Sequence, residues 1–197
     1  MPKKSTTHFF LARHGETEWN RVRRLQGTLD SPLSPAGILQ AKALARSCAD
    51  KNIELVVSSP LGRACKTAEL CSPLLGSNML IDPSLIERHF GRWQSEYFDD
   101  LSDHKHFEHI FFRVTDKAPP GGESGIDCGR RIAQALQSIA DNEQQKRILV
   151  ITHGDAIRCF MAMLEQQSQC DAYSQYGNGK VFSVAFCHRQ RQFEASH

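Results

Sequence analysis

The sequence predicts an α/β protein in which helices cover both faces of a mostly parallel sheet. Short apolar runs alternate with stretches whose apolar residues recur at helical spacing, and this alternation is typical of parallel sheets. Three of the apolar runs end in turns that carry histidine or arginine, namely Arg13-His14-Gly15, Gly62-Arg63 and His153-Gly154. Because ligands bind beyond the carboxyl ends of strands in open α/β sheets, we expect these turns to form one site.

Apolar runs and their breakers place the elements along the chain. Strands are predicted over residues 9–12, 55–58, 79–81, 148–152 and 181–187, with a further edge strand near 191–193. Helices are predicted over residues 35–50, 62–71, 124–142 and from 155 onward. Ser34 and Pro35 are favoured at the start of a helix. Ile38, Ala41 and Leu44 then share one face, which we expect to pack on the sheet.

The segment over residues 92–118 interrupts the alternation. It is rich in aromatic residues and histidine, and we expect one or two helices there that form a cap over the site. The run Pro119-Pro120-Gly121-Gly122 ends this insertion. Since the chain contains neither an internal repeat nor a linker, residues 1–197 are predicted to form a single domain that carries this helical cap.

Charge and cysteine content disfavour several classes of protein. The net charge of +2 argues against nucleic acid as the main partner. The seven cysteines are widely spaced without a C-x-x-C pair, which disfavours a disulfide framework or a zinc site and fits reduced thiols. The first residues lack the features of a signal peptide, and no apolar run is long enough to span a bilayer. We therefore expect a cytoplasmic protein without nucleic-acid or membrane partners, and we leave a homodimer open.

The block Arg13-His14-Gly15-Glu16-Thr17-Glu18-Trp19-Asn20 begins a series of motifs. The later motifs are, in order, Gln26-Gly27, Asp30-Ser31-Pro32-Leu33-Ser34, Ser58-Ser59-Pro60-Leu61-Gly62-Arg63, Glu87-Arg88-His89-Phe90-Gly91, Pro120-Gly121-Gly122-Glu123-Ser124 and Thr152-His153-Gly154. In type and order they resemble the motifs of the histidine phosphatase superfamily over nearly the whole chain. The resemblance implies the phosphoglycerate-mutase-like fold, which is a three-layer αβα sandwich, and an enzyme that acts on phosphate esters.

Four of the candidate residues could hold a phosphoryl group. The transition state of phosphoryl transfer is loose, so that positioning and charge carry the catalysis. Arg13 and Arg63 can each bind two phosphate oxygens, and Asn20 can donate its side-chain amide. His153 can donate a hydrogen bond to the transferred group. The resemblance implies a phosphate pocket made of these same residues.

Two further residues could supply the reactive groups. His14 offers a neutral imidazole nitrogen as a nucleophile, because neighbouring guanidinium groups disfavour the imidazolium form. Glu87 can protonate the leaving oxygen and later activate water. The resemblance implies the same roles, with a phosphohistidine at His14. We also expect substrate contacts at Gln26 and Gly27, which match family positions, and at Gly154.

The loop that follows the first block carries Arg21, Arg23 and Arg24. These arginines form either an ordinary solvated surface or a cationic rim that attracts anionic substrates, and the sequence favours neither interpretation. Relatives often carry a second arginine at the position of Cys65. Arg21 or Arg88 would then have to supply the missing charge.

The segment over residues 104–112 combines histidines with phenylalanines. His104, His106 and His109 resemble a metal cluster in composition only, because no carboxylate or cysteine spacing completes a ligand set. We favour a solvated helix face and expect neither a metal nor a cofactor. The phenylalanines over residues 107–112 suggest an apolar or aromatic leaving group, although core packing is the favoured use.

The motifs leave two activities open. Gln26-Gly27 and residues 120–124 resemble the α-ribazole phosphatase and broad-specificity phosphatase branch, whereas Glu87-Arg88-His89 resembles a cofactor-dependent phosphoglycerate mutase. The short chain between Glu87 and His153, and the short C-terminus, favour a phosphatase that acts on small phosphorylated metabolites. A phosphate-binding module without turnover is disfavoured, because a nucleophile and an acid are both present.

Overall fold

A mixed sheet forms the centre of the molecule in the computed structural model, which describes residues 6–166 and 175–195. Within those ranges its strands are Thr6–Arg13 (β1), Leu55–Ser58 (β2), Asn78–Ile81 (β3), Arg147–Thr152 (β4), Val181–Cys187 (β5) and Gln192–Ala195 (β6). Their order across the sheet is β3-β2-β4-β1-β5-β6. The first four of these are parallel, whereas β5 and β6 are antiparallel additions at one edge. The predicted mostly parallel sheet is confirmed.

Helices cover both faces of this sheet. The helices are Glu18–Arg21 (α1), Pro35–Ser47 (α2), Gly62–Leu75 (α3), Phe107–Phe111 (α4), Gly125–Asn142 (α5) and Gly154–Leu164 (α6). Successive side chains of a strand point to opposite faces. Phe9 and Leu11 therefore join the core with α5 and α6, whereas Phe10 and Ala12 join the core with α2 and α3. The predicted three-layer αβα sandwich is confirmed.

The start of α2 agrees with the prediction, but its buried face does not. Ser34 caps the helix by accepting a hydrogen bond from the Gly37 amide at 3.0 Å. Ile38 is exposed, so its predicted place in the core is wrong. The buried face of α2 consists of Gly37, Ala41, Leu44 and Ala45, and a Cβ atom at Gly37 would overlap the carbonyl oxygen of Glu16 in the turn after β1.

The cap is organised by aromatic packing and contains little regular helix. Between residues 91 and 118 it has 3-10 turns over Gly91–Trp93 and Phe98–Leu101 and the five-residue helix α4. Phe111 stacks on Phe90 and on Trp93 in a cluster separate from the sheet cores. The predicted helices are therefore shorter than expected. That residues 1–197 form a single domain stays a prediction.

The strand register brings the predicted turns together. Arg13 of β1 lies opposite Thr152 of β4, and Ser58 of β2 lies opposite Ile151 of β4. Because β1, β4 and β2 are adjacent and parallel, the turns that follow them share one edge of the sheet.

Cysteine and membrane expectations can be compared with the described ranges. The cysteines there are free thiols, whereas Cys170 lies outside those ranges. No helix in residues 6–166 and 175–195 is both long and apolar enough to cross a membrane.

Candidate active site

His14 follows β1 and is almost entirely buried. Its Nδ1 atom lies 2.7 Å from the carbonyl oxygen of Gly15, which can only accept a hydrogen bond. The proton therefore sits on Nδ1, and the lone pair lies on Nε2. Nε2 accepts a hydrogen bond from Nε of Arg63 at 3.2 Å. The ring thus presents an unprotonated nitrogen beside a guanidinium group.

The surroundings of His14 keep it neutral. Burial lowers the pKa of His14 well below its usual value, and the positive charges of Arg63 and Arg13 lower it further. The hydrogen bond to Gly15 opposes this effect without reversing it. A neutral imidazole with a defined tautomer is the form that can act as a nucleophile.

Arg63 is buried at the start of α3, and most of its donors are already used. Besides its bond to His14, Nη1 donates to the carbonyl oxygen of Leu29 at 2.6 Å and to Oδ1 of Asp30 at 3.0 Å. Nη2 donates to the carbonyl oxygen of Gly27 at 2.7 Å. Since a guanidinium group has five N–H donors, one remains for phosphate. The predicted two-point grip of Arg63 on phosphate is therefore not met in this arrangement.

Arg13 and Gly154 are placed against each other. A Cβ atom at Gly154 would lie 3.3 Å from the guanidinium carbon of Arg13, so the glycine makes room for that side chain. The Nε atom of Arg13 is buried without a partner in the described part of the chain. Arg13 therefore keeps donors that can bind an anionic ligand beside the turn after β1.

His153 lies beside His14, with ring centroids 5.2 Å apart. Its Nε2 atom is 2.8 Å from Oγ of Ser59, while Nδ1 is buried and has no partner in the described residues. Burial lowers the pKa of His153 well below its usual value, and the charge of Arg63 adds to the effect. A neutral His153 that accepts from Ser59 would carry its proton on Nδ1.

Glu87 reaches the site from the segment after β3. Its Oε1 atom accepts hydrogen bonds from the amides of Arg88 at 2.8 Å and Ala156 at 2.9 Å, and Oε2 accepts from the amide of Asp155 at 3.3 Å. Burial raises the pKa of Glu87, and the negative charge of Asp155 raises it further. The amide of Arg88 and the charges of Arg63 and Arg13 oppose the rise. The balance of these effects raises the pKa of Glu87 above its usual value.

Asp155 is held between two buried arginines. Its oxygens accept from Nη1 of Arg88 at 3.1 Å and from Nε of Arg158 at 2.6 Å. Both guanidinium groups are fully buried, and both also donate to the carbonyl oxygen of Ile110 in α4. Although burial opposes ionisation, the charges of the two arginines lower the pKa of Asp155. Asp155 therefore places a fixed negative charge beside Glu87.

Neither residue suggested as a replacement at the position of Cys65 reaches the phosphate site. Arg88 is occupied by Asp155 and by carbonyl oxygens of the cap, so its predicted role in substrate binding is wrong. Arg21 is exposed and pairs with Glu18 at 2.9 Å. Cys65 itself donates to the carbonyl oxygen of Ser59.

Three predicted substrate contacts come from the loop after β1. Asn20 accepts a hydrogen bond from the Thr17 amide through Oδ1, which leaves its amide nitrogen for a ligand. Gln26 donates to Thr17, and its Oε1 atom is buried without a described partner. Gly27 has φ +55°, and its carbonyl oxygen accepts from Arg63. This bond helps to hold Arg63 in place, and a substrate contact at Gly27 stays a prediction.

One cavity of about 500 Å³ collects these residues. All of the predicted site residues except His153 line it, namely Arg13, His14, Asn20, Gln26, Gly27, Arg63, Glu87 and Gly154. Sequence reasoning missed Asn178, which also lines the cavity and donates to the carbonyl oxygen of His14 at 2.5 Å. The only signal for it was a Gly-Asn-Gly turn before the last long strand. Asp155 was likewise missed as a site residue.

Two interpretations were left open for the basic loop, and two for the histidine-rich segment, and the structure bears on both. Arg23 and Arg24 line the cavity, in agreement with a cationic rim, whereas Arg21 does not. His104 packs against Trp93, with ring centroids 5.4 Å apart. Across residues 6–166 and 175–195, no group of three or more His, Cys, Asp or Glu side chains is placed to hold a metal ion.

Residues 9–196 match the model of the histidine phosphatase superfamily, branch 1. The chain belongs to this superfamily. Curated relatives named probable phosphoglycerate mutase GpmB include those of Escherichia fergusonii and Yersinia pestis (strain Pestoides F). The first is 34% identical over 79% of this chain and 73% of its own length. The second is 36% identical over the same shares of the two chains.

Solved structures of the superfamily resemble the chain over nearly its whole length. Bacillus stearothermophilus YhfR has a TM-score of 0.86 at 30% identity, with 96% of this chain and 95% of that chain covered. A mycobacterial glucosyl-3-phosphoglycerate phosphatase has a TM-score of 0.83 at 25% identity, covering 96% and 97%. Phosphoserine phosphatase from Entamoeba histolytica has a TM-score of 0.81 at 27% identity, covering 97% and 95%. The superfamily and these neighbours class the chain as a phosphoric monoester hydrolase.

Proposed function

We propose that the protein hydrolyses small-molecule phosphate monoesters through a phosphohistidine at His14. The observation that carries the proposal is the unprotonated Nε2 atom of His14, which adjoins Arg63 in a cavity that Glu87 also lines. A nucleophile, cationic partners and a protonated acid are the groups that phosphoryl transfer to an enzyme requires. The phosphatases among the solved neighbours support the same assignment.

The first step transfers the phosphoryl group to the enzyme. The hydrogen bond from Arg63 to Nε2 of His14 breaks, the freed lone pair attacks phosphorus, the bond from phosphorus to the ester oxygen breaks, and Glu87 gives its proton to that oxygen. Arg13 and the remaining donor of Arg63 stabilise the charge on the non-bridging oxygens. Asn20 adds its amide. His153 is a further candidate donor to the transferred group, since its Nδ1 atom has no described partner.

The second step returns the enzyme to its starting state. Glu87, now ionised, takes a proton from water, and the water oxygen attacks the phosphorus of the phosphohistidine. The bond between phosphorus and Nε2 breaks, and inorganic phosphate leaves with the lone pair restored on His14. Glu87 therefore alternates between acid and base, which is consistent with a carboxyl whose pKa is raised.

The second candidate is a phosphoglycerate mutase, which the names of the curated relatives favour. A mutase must protect its phosphoenzyme from water while the intermediate reorients in the site. The segment between Glu87 and His153 is short and offers little chain for such protection. Its cap is held to the interior by hydrogen bonds from Arg88 and Arg158. Hydrolysis is therefore the better supported reaction.

A panel of phosphorylated metabolites distinguishes the two reactions. We expect the release of inorganic phosphate from at least one monoester to be faster than the interconversion of 3-phosphoglycerate and 2-phosphoglycerate with 2,3-bisphosphoglycerate present. Phosphate release and isomer formation are measured on the same enzyme preparation. Mutase turnover faster than the hydrolysis of every monoester in the panel would refute the proposal.

Activity is expected to persist after exhaustive chelation. Arg13 and Arg63 supply positive charge, and His153 a hydrogen-bond donor, where other phosphoryl-transfer sites use Mg²⁺. The measurement is the rate of phosphate release before and after treatment with chelator, with each divalent metal then added back. Loss of activity that one specific metal restores would contradict this expectation.

Replacement of Asp155 by asparagine is expected to move the high-pH limb of activity to lower pH. Glu87 acts as an acid only when protonated, so activity falls as the pH rises through its pKa. Loss of the negative charge of Asp155 leaves Arg88 and Arg158 uncompensated, and both changes lower the pKa of Glu87. The measurement is kcat/KM for an alkyl phosphate against pH.

Asp116→Asn is the matched control for this shift. Asp116 is exposed and pairs with Lys117, also exposed, at 3.4 Å, so the same change of charge occurs away from Glu87. An Asp155→Asn profile that coincides with that of the unmodified enzyme would show that Asp155 does not set the pKa of Glu87. An equal shift in Asp116→Asn would lead to the same conclusion.

A further inference from the structure

A second group of residues lines the cavity beside the proposed phosphate site. It contains Arg24, from the loop after α1, and the rings of Phe98 and Phe112, from the cap. A cavity of about 500 Å³ is within the range of roughly 300–1,000 Å³ for sites that hold whole small molecules. The space beyond the phosphate site is thus available to the leaving group.

Two contacts hold the guanidinium group of Arg24 in place. Its Nε atom donates to the carbonyl oxygen of Ser95 at 2.6 Å, and its central carbon lies 4.2 Å from the centre of the Trp19 ring. These contacts hold the plane of the group and leave the two terminal nitrogens as donors. Among the described residues no carboxylate lies within 4.0 Å of it, so the cation is oriented without an ionic partner.

Arg23 lines the same cavity but, unlike Arg24, is paired with a carboxylate. It pairs with Asp99 at 2.8 Å, lies over the ring of Phe98 at 5.3 Å, and is largely exposed. Its charge is therefore already balanced by a carboxylate on the surface. Of these two neighbouring arginines, Arg24 is the one whose charge is left for a ligand.

Phe112 supplies an apolar surface in the same cavity. It makes an edge contact with Phe107, and 41% of its surface remains exposed. Most of the other phenylalanines of the cap are buried in their own cluster. An exposed ring that lines a cavity adds hydrophobic contact for a ligand, and rings favour flat apolar groups.

We infer that the substrate is a phosphate monoester whose leaving group has a flat apolar body, packed against Phe112, and a second anionic group, bound by Arg24. The inference rests on the proposed function, because it assumes that the phosphoryl group lies at His14. It differs from a preference for the short polar leaving groups of phosphoserine and 3-phosphoglycerate. The cation and the ring together define the specificity.

The test compares phenyl phosphate with 4-carboxyphenyl phosphate, which differ in one carboxylate. We expect Arg24→Met to lower kcat/KM for the carboxylated ester at least about tenfold more than for phenyl phosphate, since hydrogen bonds to charged groups contribute on this scale. Any general damage to the loop lowers both values equally and cancels in the ratio. Arg21→Met is the matched control, because Arg21 is a nearby cation that does not line the cavity.

The apolar part of the inference has its own variant. Phe112→Ala is expected to lower kcat/KM for phenyl phosphate more than for methyl phosphate. Equal losses for each pair of esters, in Arg24→Met or in Phe112→Ala, would overturn the corresponding contact. Hydrolysis of phosphoserine and 3-phosphoglycerate by the unmodified enzyme at more than about ten times the kcat/KM of both aryl esters would overturn the whole inference.

A binding measurement separates this inference from the proposed function. Calorimetric titration of the His14→Ala protein with the two aryl esters does not depend on turnover. Tighter binding of the carboxylated ester, lost on adding Arg24→Met, supports the anionic subsite even if no ester is hydrolysed. Equal binding of both esters, together with normal hydrolysis by the unmodified enzyme, would refute the subsite and leave the proposed function standing.

Discussion

Replacement of His14 by alanine is expected to lower the turnover of every phosphate monoester by at least about 10⁴-fold, which is the scale of loss when a covalent nucleophile is removed. We propose Nε2 of His14 as the nucleophile, and two neighbouring side chains already have hydrogen-bond partners. Arg63 donates to that nitrogen, and Ser59 holds the ring of His153. A His153 ring that accepts from Ser59 carries its proton on Nδ1, so neither of its nitrogens has a free lone pair to take over the attack.

The same variant should lose the covalent intermediate. Acid lability and base stability distinguish phosphohistidine from phosphate esters of serine or threonine. Rapid quenching of the unmodified enzyme with labelled substrate is expected to trap such a label, and the His14→Ala protein is expected to trap none. His109→Ala is the control, since His109 is an exposed residue of the cap. Recovery of the label in the His14→Ala protein would refute the assignment of His14 as the nucleophile.

Replacement of Glu87 by glutamine is expected to cost about 10²–10⁴-fold with an alkyl phosphate and distinctly less with nitrophenyl phosphate. An alkoxide leaves poorly without a proton, whereas nitrophenolate is a good leaving group. Glutamine keeps an oxygen that can accept from the amides of Arg88 and Ala156, so the local backbone should be preserved. The variant therefore removes the acidic proton and should largely preserve the local structure.

Burst kinetics separate the two roles of Glu87. Attack of water on the phosphohistidine also needs a base, so steady-state rates could fall for both esters. The first phosphoryl transfer reports only the role as acid. An unchanged burst rate with an alkyl phosphate in Glu87→Gln would remove Glu87 as the acid, and His153 would become the next candidate.

Much of the site followed from strand ends that can be read in the sequence. Apolar runs that end in Arg-His-Gly, Gly-Arg and His-Gly identified the turns, and the parallel register placed them side by side. The suggestion that Arg88 could replace the charge missing at Cys65 was wrong. Its neighbour Glu87 lines the cavity, and consecutive side chains of an extended segment point in opposite directions. Arg88 therefore enters the interior, where no motif indicates its partners.

The contacts that were missed join residues far apart in sequence. Asn178 reaches the carbonyl oxygen of His14 from the turn before β5, and nothing in either local sequence specifies that meeting. The bond from Arg63 to Gly27 likewise depends on how the loop after β1 folds back. Local patterns predict where a turn lies and which groups it carries. They do not predict which donors are consumed inside the protein.

The attachment of the cap to the sheet has a consequence for motion. Arg88 and Arg158 hold Asp155 and also bind carbonyl oxygens of residues 110, 113 and 117. Lifting the cap would break hydrogen bonds from these two guanidinium groups to the cap carbonyl oxygens, and a hydrogen bond to a charged group contributes about 1.5–3 kcal/mol. Residues 110–117 should therefore open on the slow timescale of the α6 core rather than that of a surface loop. Exchange of ligand between the cavity and solvent should then depend on the exposed side chains that line the cavity, among them Phe112 and Arg23.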